Sequence, residues 1–198
     1  NYHTKDPVWN EIIGDVRFRQ ALSLAFNREE MNEVLWLGAG RPSQLAPPRD
    51  SRWYDESFAR SYAEYDLLKA HRLLDQMGLR WYDEHRFRLR PDGEMLTLVL
   101  HYPSQFSEWG DGAEMAQEYW SALGIDVIVK SSGLLDQLLE SNVHQAVVWC
   151  GNGAVPTDVE PVSVTSKVCL LEMFCRMQGP GICFLLQILW TIFPKHSQ

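Results

Sequence analysis

The sequence predicts an α/β fold in which a mixed sheet is flanked by helices. Three short apolar segments, at residues 95–102, 125–130 and 145–149, have the length and composition of buried strands. The segments between them have apolar residues at helical spacing. Strands that alternate with helices are joined by right-handed crossovers, and these connections produce a largely parallel or mixed sheet. The 198 residues are enough for one domain with a sizeable core.

Composition indicates a globular protein and limits the classes of partner. Hydrophobic residues make up 45% of the chain, and the net charge is −8. Nucleic acids and anionic membrane surfaces are also negatively charged, so they are poor partners for this chain. The longest apolar run, at residues 183–193, is well short of the roughly 20 residues that a membrane-spanning helix needs. We therefore expect no nucleic-acid partner and no transmembrane helix.

Helix starts are predicted where a capping side chain precedes apolar residues at helical spacing. Such a side chain accepts hydrogen bonds from the free N–H groups of the first helical turn. Glycine is common just after the last turn of a helix, so it marks predicted ends. Residues 41–63 contain three prolines and several polar residues, which predicts a loop. The predicted caps are Asp15, Asn27, Asp66, Asp111 and Ser132, and the predicted ends are at Gly38, Gly78 and Gly124.

No catalytic, metal-binding or phosphate-binding pattern is recognisable in the sequence. His71 and Asp75 lie four residues apart on a predicted helix, a spacing that favours a local hydrogen bond over a catalytic dyad. His101 and His144 lie at strand edges, where a lone histidine is usually a surface or hydrogen-bonded residue. The four cysteines lack the spacing of a zinc site. We predict a protein that is not an enzyme and has no metal or cofactor. An α/β enzyme with an unrecognised site is the alternative.

Four segments occur in the order, and with the gaps, of motifs from one known family. They are DVRFRQALSLAFNR at residues 15–28, GAGRP at 38–42, YDLLKAHRLLDQMG at 65–78 and YWSALGIDV at 119–127. Together they resemble the family 5 extracellular solute-binding proteins, the oligopeptide- and dipeptide-binding group. The resemblance extends over roughly residues 10–153. Four ordered motifs make it specific.

The resemblance implies one lobe of a two-lobed, periplasmic-binding-protein-like fold of type II. In such proteins a hinge closes two lobes around the ligand. The matched motifs belong to one lobe, so we expect that this chain is an incomplete copy that lacks the second lobe. The implied function is the substrate-binding component of an ABC importer. Its implied partners are a small solute, either a peptide or an oligosaccharide, and the membrane subunits of the transporter. The implied location is periplasmic or extracellular.

The resemblance also implies a ligand-binding segment at Trp149, Cys150, Gly151 and Asn152. In peptide-binding members, the third residue after this tryptophan is an aspartate that pairs with the free amino group of the peptide. Here that residue is Asn152, which has no charge. A charge-assisted hydrogen bond is about twice as strong as a neutral one, so a neutral oligosaccharide becomes a credible ligand. Trp149 either stacks on the ligand or packs as a core or rim aromatic residue.

We predict two regions, a ligand-binding lobe at residues 1–153 and an atypical tail at residues 154–198. All four cysteines lie between residues 150 and 183. Residues 151–198 contain three acidic and three basic side chains, so the whole net charge belongs to the preceding residues. We expect that the tail is poorly ordered or is not native family sequence, for example after a frame change. A divergent but genuine C-terminal extension is the alternative.

Overall fold

The computed structural model describes residues 4–44, 54–82, 86–141, 143–148 and 174–175. In these ranges the helices are α1 Pro7–Gly14, α2 Val16–Leu24, α3 Arg28–Trp36, α4 Glu56–Arg60, α5 Leu67–Gln76, α6 Ser107–Ser121 and α7 Leu135–Glu140. The strands are β1 Pro42–Ser43, β2 Thr97–Pro103, β3 Asp126–Ser132, β4 Ala146–Val147 and β5 Phe174–Cys175. Strands and helices alternate from β2 to β4, which confirms the predicted α/β class.

The main sheet has the strand order β3-β2-β4 in the described part of the chain, and all its pairs are parallel. Seven residue pairs join β2 to β3, from Thr97 opposite Asp126 to Pro103 opposite Ser132. The chain passes from β2 through α6 to β3 on one side, and then through α7 to β4 on the other side of β2. A second, two-stranded sheet pairs β1 antiparallel with β5.

The core lies between the helices and the main sheet and contains large aromatic side chains. Trp120 of α6 is fully buried, and its indole N–H donates to the Leu22 carbonyl at 3.0 Å. The Phe26 ring packs against it with centroids 5.1 Å apart. On β2, Leu98 and Leu100 are fully buried, at alternate positions of the strand. Aromatic burial of this kind supplies much of the stability of a small domain.

Three predicted helix caps are confirmed. In each, a side-chain oxygen accepts a hydrogen bond from a backbone N–H group in the first turn, which typically stabilises a helix by about 1 kcal/mol. The predicted ends are confirmed too, since Gly38, Gly78 and Gly124 have the positive φ angles that glycine tolerates best. The Arg17 N–H donates to the Asp15 side chain, the Glu30 N–H to Asn27 and the Lys69 N–H to Asp66.

The caps predicted at Asp111 and Ser132 are wrong. Helix α6 begins at Ser107, so Asp111 lies inside it. Trp109, in the first turn of α6, is buried against the core, and this burial extends the helix beyond the local capping signal. Ser132 is the last residue of β3, where it pairs with Pro103, and α7 begins three residues later. In both places tertiary contacts override a local preference.

Two helices were missed in the sequence. The predicted loop at 41–63 contains α4, whose cap is Asp55. Helix α1 has Asp6 as its cap and Pro7 as its first residue, a pairing that is typical of helix starts. An aspartate ahead of α4 and an Asp-Pro pair ahead of α1 were the available signals. Among the described residues, no helix combines the length and the apolar character needed to cross a membrane.

A buried polar cluster, formed by Ser23, Arg28 and Gln44, connects α2 to the chain that leads into α5. Gln44 and Arg28 both donate to the Ser23 hydroxyl, at 2.7 and 2.8 Å. The three side chains also bind three consecutive backbone carbonyls. Burial lowers the pKa of Arg28 to about 10. Gln44 donates to the Ser61 carbonyl at 3.2 Å, Ser23 donates to the Tyr62 carbonyl at 2.7 Å, and Arg28 donates to the Ala63 carbonyl at 3.1 Å.

Candidate functional site

Because β2, β3 and β4 are parallel, their carboxyl ends lie at one edge of the sheet, which we call the carboxyl edge. It consists of residues 103–106 at and after the end of β2, residues 132–134 at and after the end of β3, and the end of β4. The connection after β2 runs to one side of the sheet, whereas β4 lies on the other side. Open α/β sheets bind ligands in the crevice outside such a switch point. The carboxyl edge is therefore the candidate functional site.

Contacts between the loops after β2 and β3 organise this edge. The Ser104 backbone N–H donates to the Ser132 carbonyl at 3.0 Å, which joins the two loops. Gly110 of α6 faces the Tyr102 ring so closely that a Cβ atom there would lie 3.1 Å from the ring. The Phe106 ring stacks on Trp109, with centroids 4.6 Å apart and planes inclined by 24°. These contacts hold the start of α6 against the end of β2.

The two helices that start at the carboxyl edge lack side-chain caps. The N-cap residues are Phe106 for α6 and Leu134 for α7, and neither side chain forms a capping hydrogen bond. Their side chains are 38% and 64% exposed. By contrast, α1 to α5 all have carboxylate or amide caps. The edge thus presents apolar surface beside two helix starts that have no side-chain cap, where water or another molecule can take the place of a cap.

Sequence reasoning did not identify Phe106 or Leu134 as site residues. Their only signal was that each follows a predicted strand. Parallel pairing of those strands is what brings the two positions to the same edge. The predicted site residues Trp149, Cys150, Gly151 and Asn152 lie outside the described residues, so their role stays a prediction. Of the preceding strand, Val148 is described, and its N–H donates to the His101 carbonyl at 2.7 Å.

The local hydrogen bond predicted between His71 and Asp75 is replaced by contacts of both side chains with Arg88. Arg88 donates to an Asp75 carboxylate oxygen at 2.6 Å, and its second terminal nitrogen lies 3.1 Å from His71 Nδ1. A guanidinium group can only donate, so Nδ1 accepts. Burial, and then the Arg88 charge, lower the pKa of His71. This arrangement describes a structural joint rather than a catalytic dyad.

Arg88 also links the ends of two helices. It is completely buried, and its guanidinium group donates to the Leu79 carbonyl after α5 at 2.5 Å and to the Leu123 carbonyl after α6 at 2.8 Å. The group lies 4.6 Å from the centre of the Trp81 ring. A cation at a helix C-terminus satisfies free carbonyls and favours the helix dipole. Arg88 therefore links the C-terminal ends of α5 and α6 to each other.

The histidines predicted at strand edges are largely withdrawn from solvent. His144 is only 1% exposed, and its Nδ1 lies 3.3 Å from the Leu138 carbonyl oxygen. Burial lowers its pKa to about 4. Burial also lowers the pKa of His101, and the charge of Lys130 adds to that effect. In the described ranges, no three His, Cys, Asp or Glu side chains are grouped so that they could hold a metal ion.

Comparison with known proteins gives one family. The bacterial extracellular solute-binding proteins, family 5 Middle, match residues 1–166. Protein XP55 of Streptomyces lividans is 29% identical over 154 residues, which are 75% of this chain and 26% of that protein. The oligopeptide-binding protein OppA of Lactococcus lactis subsp. lactis is 27% identical over 127 residues, which are 63% of this chain and 20% of that protein.

Solved structures agree with this family. A structure of an oligopeptide-binding protein OppA is 39% identical and superimposes with a TM-score of 0.68, over 74% of this chain and 23% of that chain. The chain thus spans about a quarter of the length of the relatives that it matches. The predicted fold, a partial lobe of a periplasmic-binding-protein-like structure, is confirmed. This chain belongs to the family 5 bacterial extracellular solute-binding proteins.

Proposed function

We propose that this chain is a ligand-binding lobe from the substrate-binding component of an ABC importer, and that it captures a peptide or a similar small solute. One observation carries the proposal. Strands β2 and β4 are parallel neighbours, and the connection after β2 runs away from β4 toward β3, an arrangement at whose carboxyl end open α/β sheets bind ligands. Oligopeptide binding by OppA proteins supports a peptide as the class of ligand.

Trp149, Cys150, Gly151 and Asn152 are the proposed ligand contacts of this lobe. They follow Val148, whose hydrogen bond to His101 places the end of β4 beside β2. Support for this assignment comes from the family resemblance together with the position of β4 at the switch point. The exposed side chains of Phe106 and Leu134 supply apolar surface at the same edge.

An oligosaccharide is the second candidate ligand, and the neutral Asn152 favours it. A peptide with a free amino group prefers a carboxylate, because an ion pair with hydrogen bonds is stronger than an amide contact. A sugar needs no charge, and a tryptophan such as Trp149 offers it an aromatic face. We propose the peptide as the primary candidate because the OppA relatives named above are oligopeptide-binding proteins.

The proposal includes three further statements. The protein binds its solute and does not transform it, as expected for a family of solute-binding proteins. Its macromolecular partners are the membrane subunits of the importer, and its location is periplasmic or extracellular. Complete ligand enclosure requires a second lobe, because a hinged protein buries its ligand between two lobes. These statements concern the whole protein, of which this chain spans a part.

Titration of the 15N-labelled chain with three probes tests the proposal. The probes are a tripeptide, its N-acetylated form and maltotriose. Since one lobe makes only part of the contacts, we expect weak binding, with resonances of the carboxyl edge shifting at millimolar ligand. Sub-micromolar affinity corresponds to about 8 kcal/mol or more, and finding it for any probe would contradict the single-lobe assignment. If none of the probes shifts resonances of the edge, the proposed site is wrong.

The variant Asn152→Asp sharpens the test. A carboxylate at this position would pair with a free amino group, so we expect affinity for the tripeptide to rise by about tenfold, roughly 1.4 kcal/mol. Affinity for the acetylated tripeptide should not rise, because its amine is blocked. Arg72→Ala, on the exposed side of α5, is the matched control and should change neither affinity. Equal gains for both peptides would contradict a role of this position in amine recognition.

A further inference from the structure

Within the described residues, which end at Val148 in this region, strand β4 shares fewer residue pairs with β2 than β3 does. Two residue pairs join β4 to β2 there, whereas seven join β3 to β2. Two further hydrogen bonds support it: the Val148 N–H donates to the His101 carbonyl at 2.7 Å, and the Val99 N–H donates to the Gln145 side chain at 2.6 Å. Local opening is easiest where few contacts must break. The attachment of β4 to β2 therefore depends on the side chains that lie next to these hydrogen bonds.

Two histidines, His144 buried and His101 half-buried, flank this attachment. His144 lies two residues before β4, and His101 lies on β2 opposite Val147. A hydrogen bond from Nδ1 of His144 to the Leu138 carbonyl makes Nε2 the unprotonated nitrogen. That Nε2 atom, and Nδ1 of His101, are buried without a hydrogen-bond partner in the described structure. Protonation would bury a cation whose new N–H group has no acceptor, which is costly.

The charged surroundings strengthen this effect. In the described part of the chain, the ionisable group facing His144 from β2 is His101, and the one facing His101 from β3 is Lys130. Helix α7 faces His144 with the carbonyl of Leu138. None of the ion pairs between described residues includes either histidine. Among the described residues, no carboxylate offsets a proton on His144 or His101, whereas the neighbouring histidine opposes one on His144 and Lys130 opposes one on His101.

We propose that His144 and His101 form an acid-sensitive latch, which holds β4 on β2 while both rings are neutral and releases β4 when they are protonated. If Trp149 to Asn152 contact the ligand as proposed, release of β4 would weaken ligand binding. That consequence for ligand binding rests on the proposed function, whereas the release of β4 does not. A binding protein with this latch would hold its solute less tightly in acidic surroundings.

The direction of the pH effect follows from the proton count. The docked form binds fewer protons, since the pKa of His144 is lowered from 6.5 to about 4. Attachment is thus at full strength above pH 6.5 and weakens as the pH falls from 6.5 toward 4. Each pKa unit is tenfold in the equilibrium, so at pH 5 the opening of β4 should increase roughly tenfold or more.

Hydrogen exchange measured by mass spectrometry on the ligand-free chain tests the latch. Exchange at pH 7.5 and pH 5.0 is corrected for the intrinsic pH dependence of amide exchange. We expect at least tenfold faster opening in peptides that cover α7 and β4 at pH 5.0, with β3 unchanged. His144→Gln cannot titrate, so it should lose this response. His71→Gln, which removes a distant histidine, should keep it.

Two outcomes would overturn the latch: protection of β4 that does not change with pH, or a response that persists in His144→Gln. If that variant fails to fold, NMR titration of the His144 ring in the unmodified chain decides instead. A ring pKa below 5.5 supports the latch, and a higher value contradicts it. Failure of the latch and failure of the proposed function are distinguishable, because exchange of the ligand-free chain requires no ligand.

Discussion

The internal joints of this lobe and its carboxyl edge differ in whether side chains satisfy the hydrogen bonds of the backbone. At the joints, Arg88 and the Ser23 cluster satisfy backbone carbonyls from several segments with buried side-chain donors. At the edge, α6 and α7 start without side-chain caps, and the apolar side chains of Phe106 and Leu134 face solvent. The first arrangement fixes the relative positions of helices. The second leaves surface and N–H groups available to something outside the lobe.

This difference has a simple physical basis. A buried polar group without a partner costs about 1–3 kcal/mol, so an interior joint is stable only when its groups are satisfied. An exposed helix start can be satisfied by water and therefore tolerates the absence of a cap. Proteins commonly give up stability at sites used for binding. The contrast thus supports the carboxyl edge as the working surface, and it can be tested by changing each side separately.

The largest effect is expected at Arg88. Arg88→Ala would leave the carbonyls of Leu79 and Leu123 without a buried donor and would remove the ion pair with Asp75. Because each buried carbonyl left without a donor costs about 1–3 kcal/mol, we expect a loss of about 2–5 kcal/mol in the free energy of unfolding, measured by urea denaturation followed by circular dichroism. Arg72→Ala, an exposed arginine of α5, is the control and should change stability by less than about 0.5 kcal/mol. If both variants lost the same free energy of unfolding, Arg88 would not be a structural joint.

The second effect concerns the Ser23 cluster. Ser23→Ala removes the donor to the Tyr62 carbonyl and the shared acceptor of Arg28 and Gln44. Because these groups are buried, unfolding free energy should fall by about 1–3 kcal/mol. Ser61→Ala is the matched control, since its hydroxyl bonds an exposed helix carbonyl and should contribute less than about 0.5 kcal/mol. A change below that limit in Ser23→Ala would show that the cluster is not a joint.

The smallest effect has the opposite sign and belongs to the edge. Leu134→Asp supplies the missing cap of α7 at an exposed position, so unfolding free energy should rise by about 0.5–1 kcal/mol. The same change removes apolar surface from the candidate site, so peptide-induced resonance shifts should weaken. Asp66→Ala, at a helix that already has its cap, should instead lower stability. If Leu134→Asp destabilised the lobe without affecting ligand-induced shifts, Leu134 would be a packing residue, and the contrast between joints and edge would fail.

Much of the secondary structure could be predicted from local signals. Helix α5 has its cap at Asp66, buried Ala70 and Leu74 on one face, and Gly78 after its last turn, and all these features were readable in the chain. Prediction of helix boundaries failed where contacts with residues distant in the chain determine them. The buried Trp109 extends α6 past Asp111. Pairing with β2 keeps Ser132 in a strand.

The candidate site was less predictable than the helices. Trp149 to Asn152 came from family resemblance, because side chains after a strand gain a shared role only through strand order. Phe106 and Leu134 are 28 residues apart in the chain and meet at one edge because β2 and β3 are parallel neighbours. Likewise, Arg88 was not singled out, since its partners come from the ends of two helices.

By itself the sequence determined the α/β class, the confirmed caps and glycine ends, and the family, because these depend on short-range spacing and ordered motifs. Only the tertiary structure decided which strands are neighbours, which helix starts lie at the carboxyl edge, and which polar side chains join distant segments. The physical reason is that capping and periodicity act within one or two turns of the chain. Burial and hydrogen-bond satisfaction depend on neighbours that only the complete fold brings together.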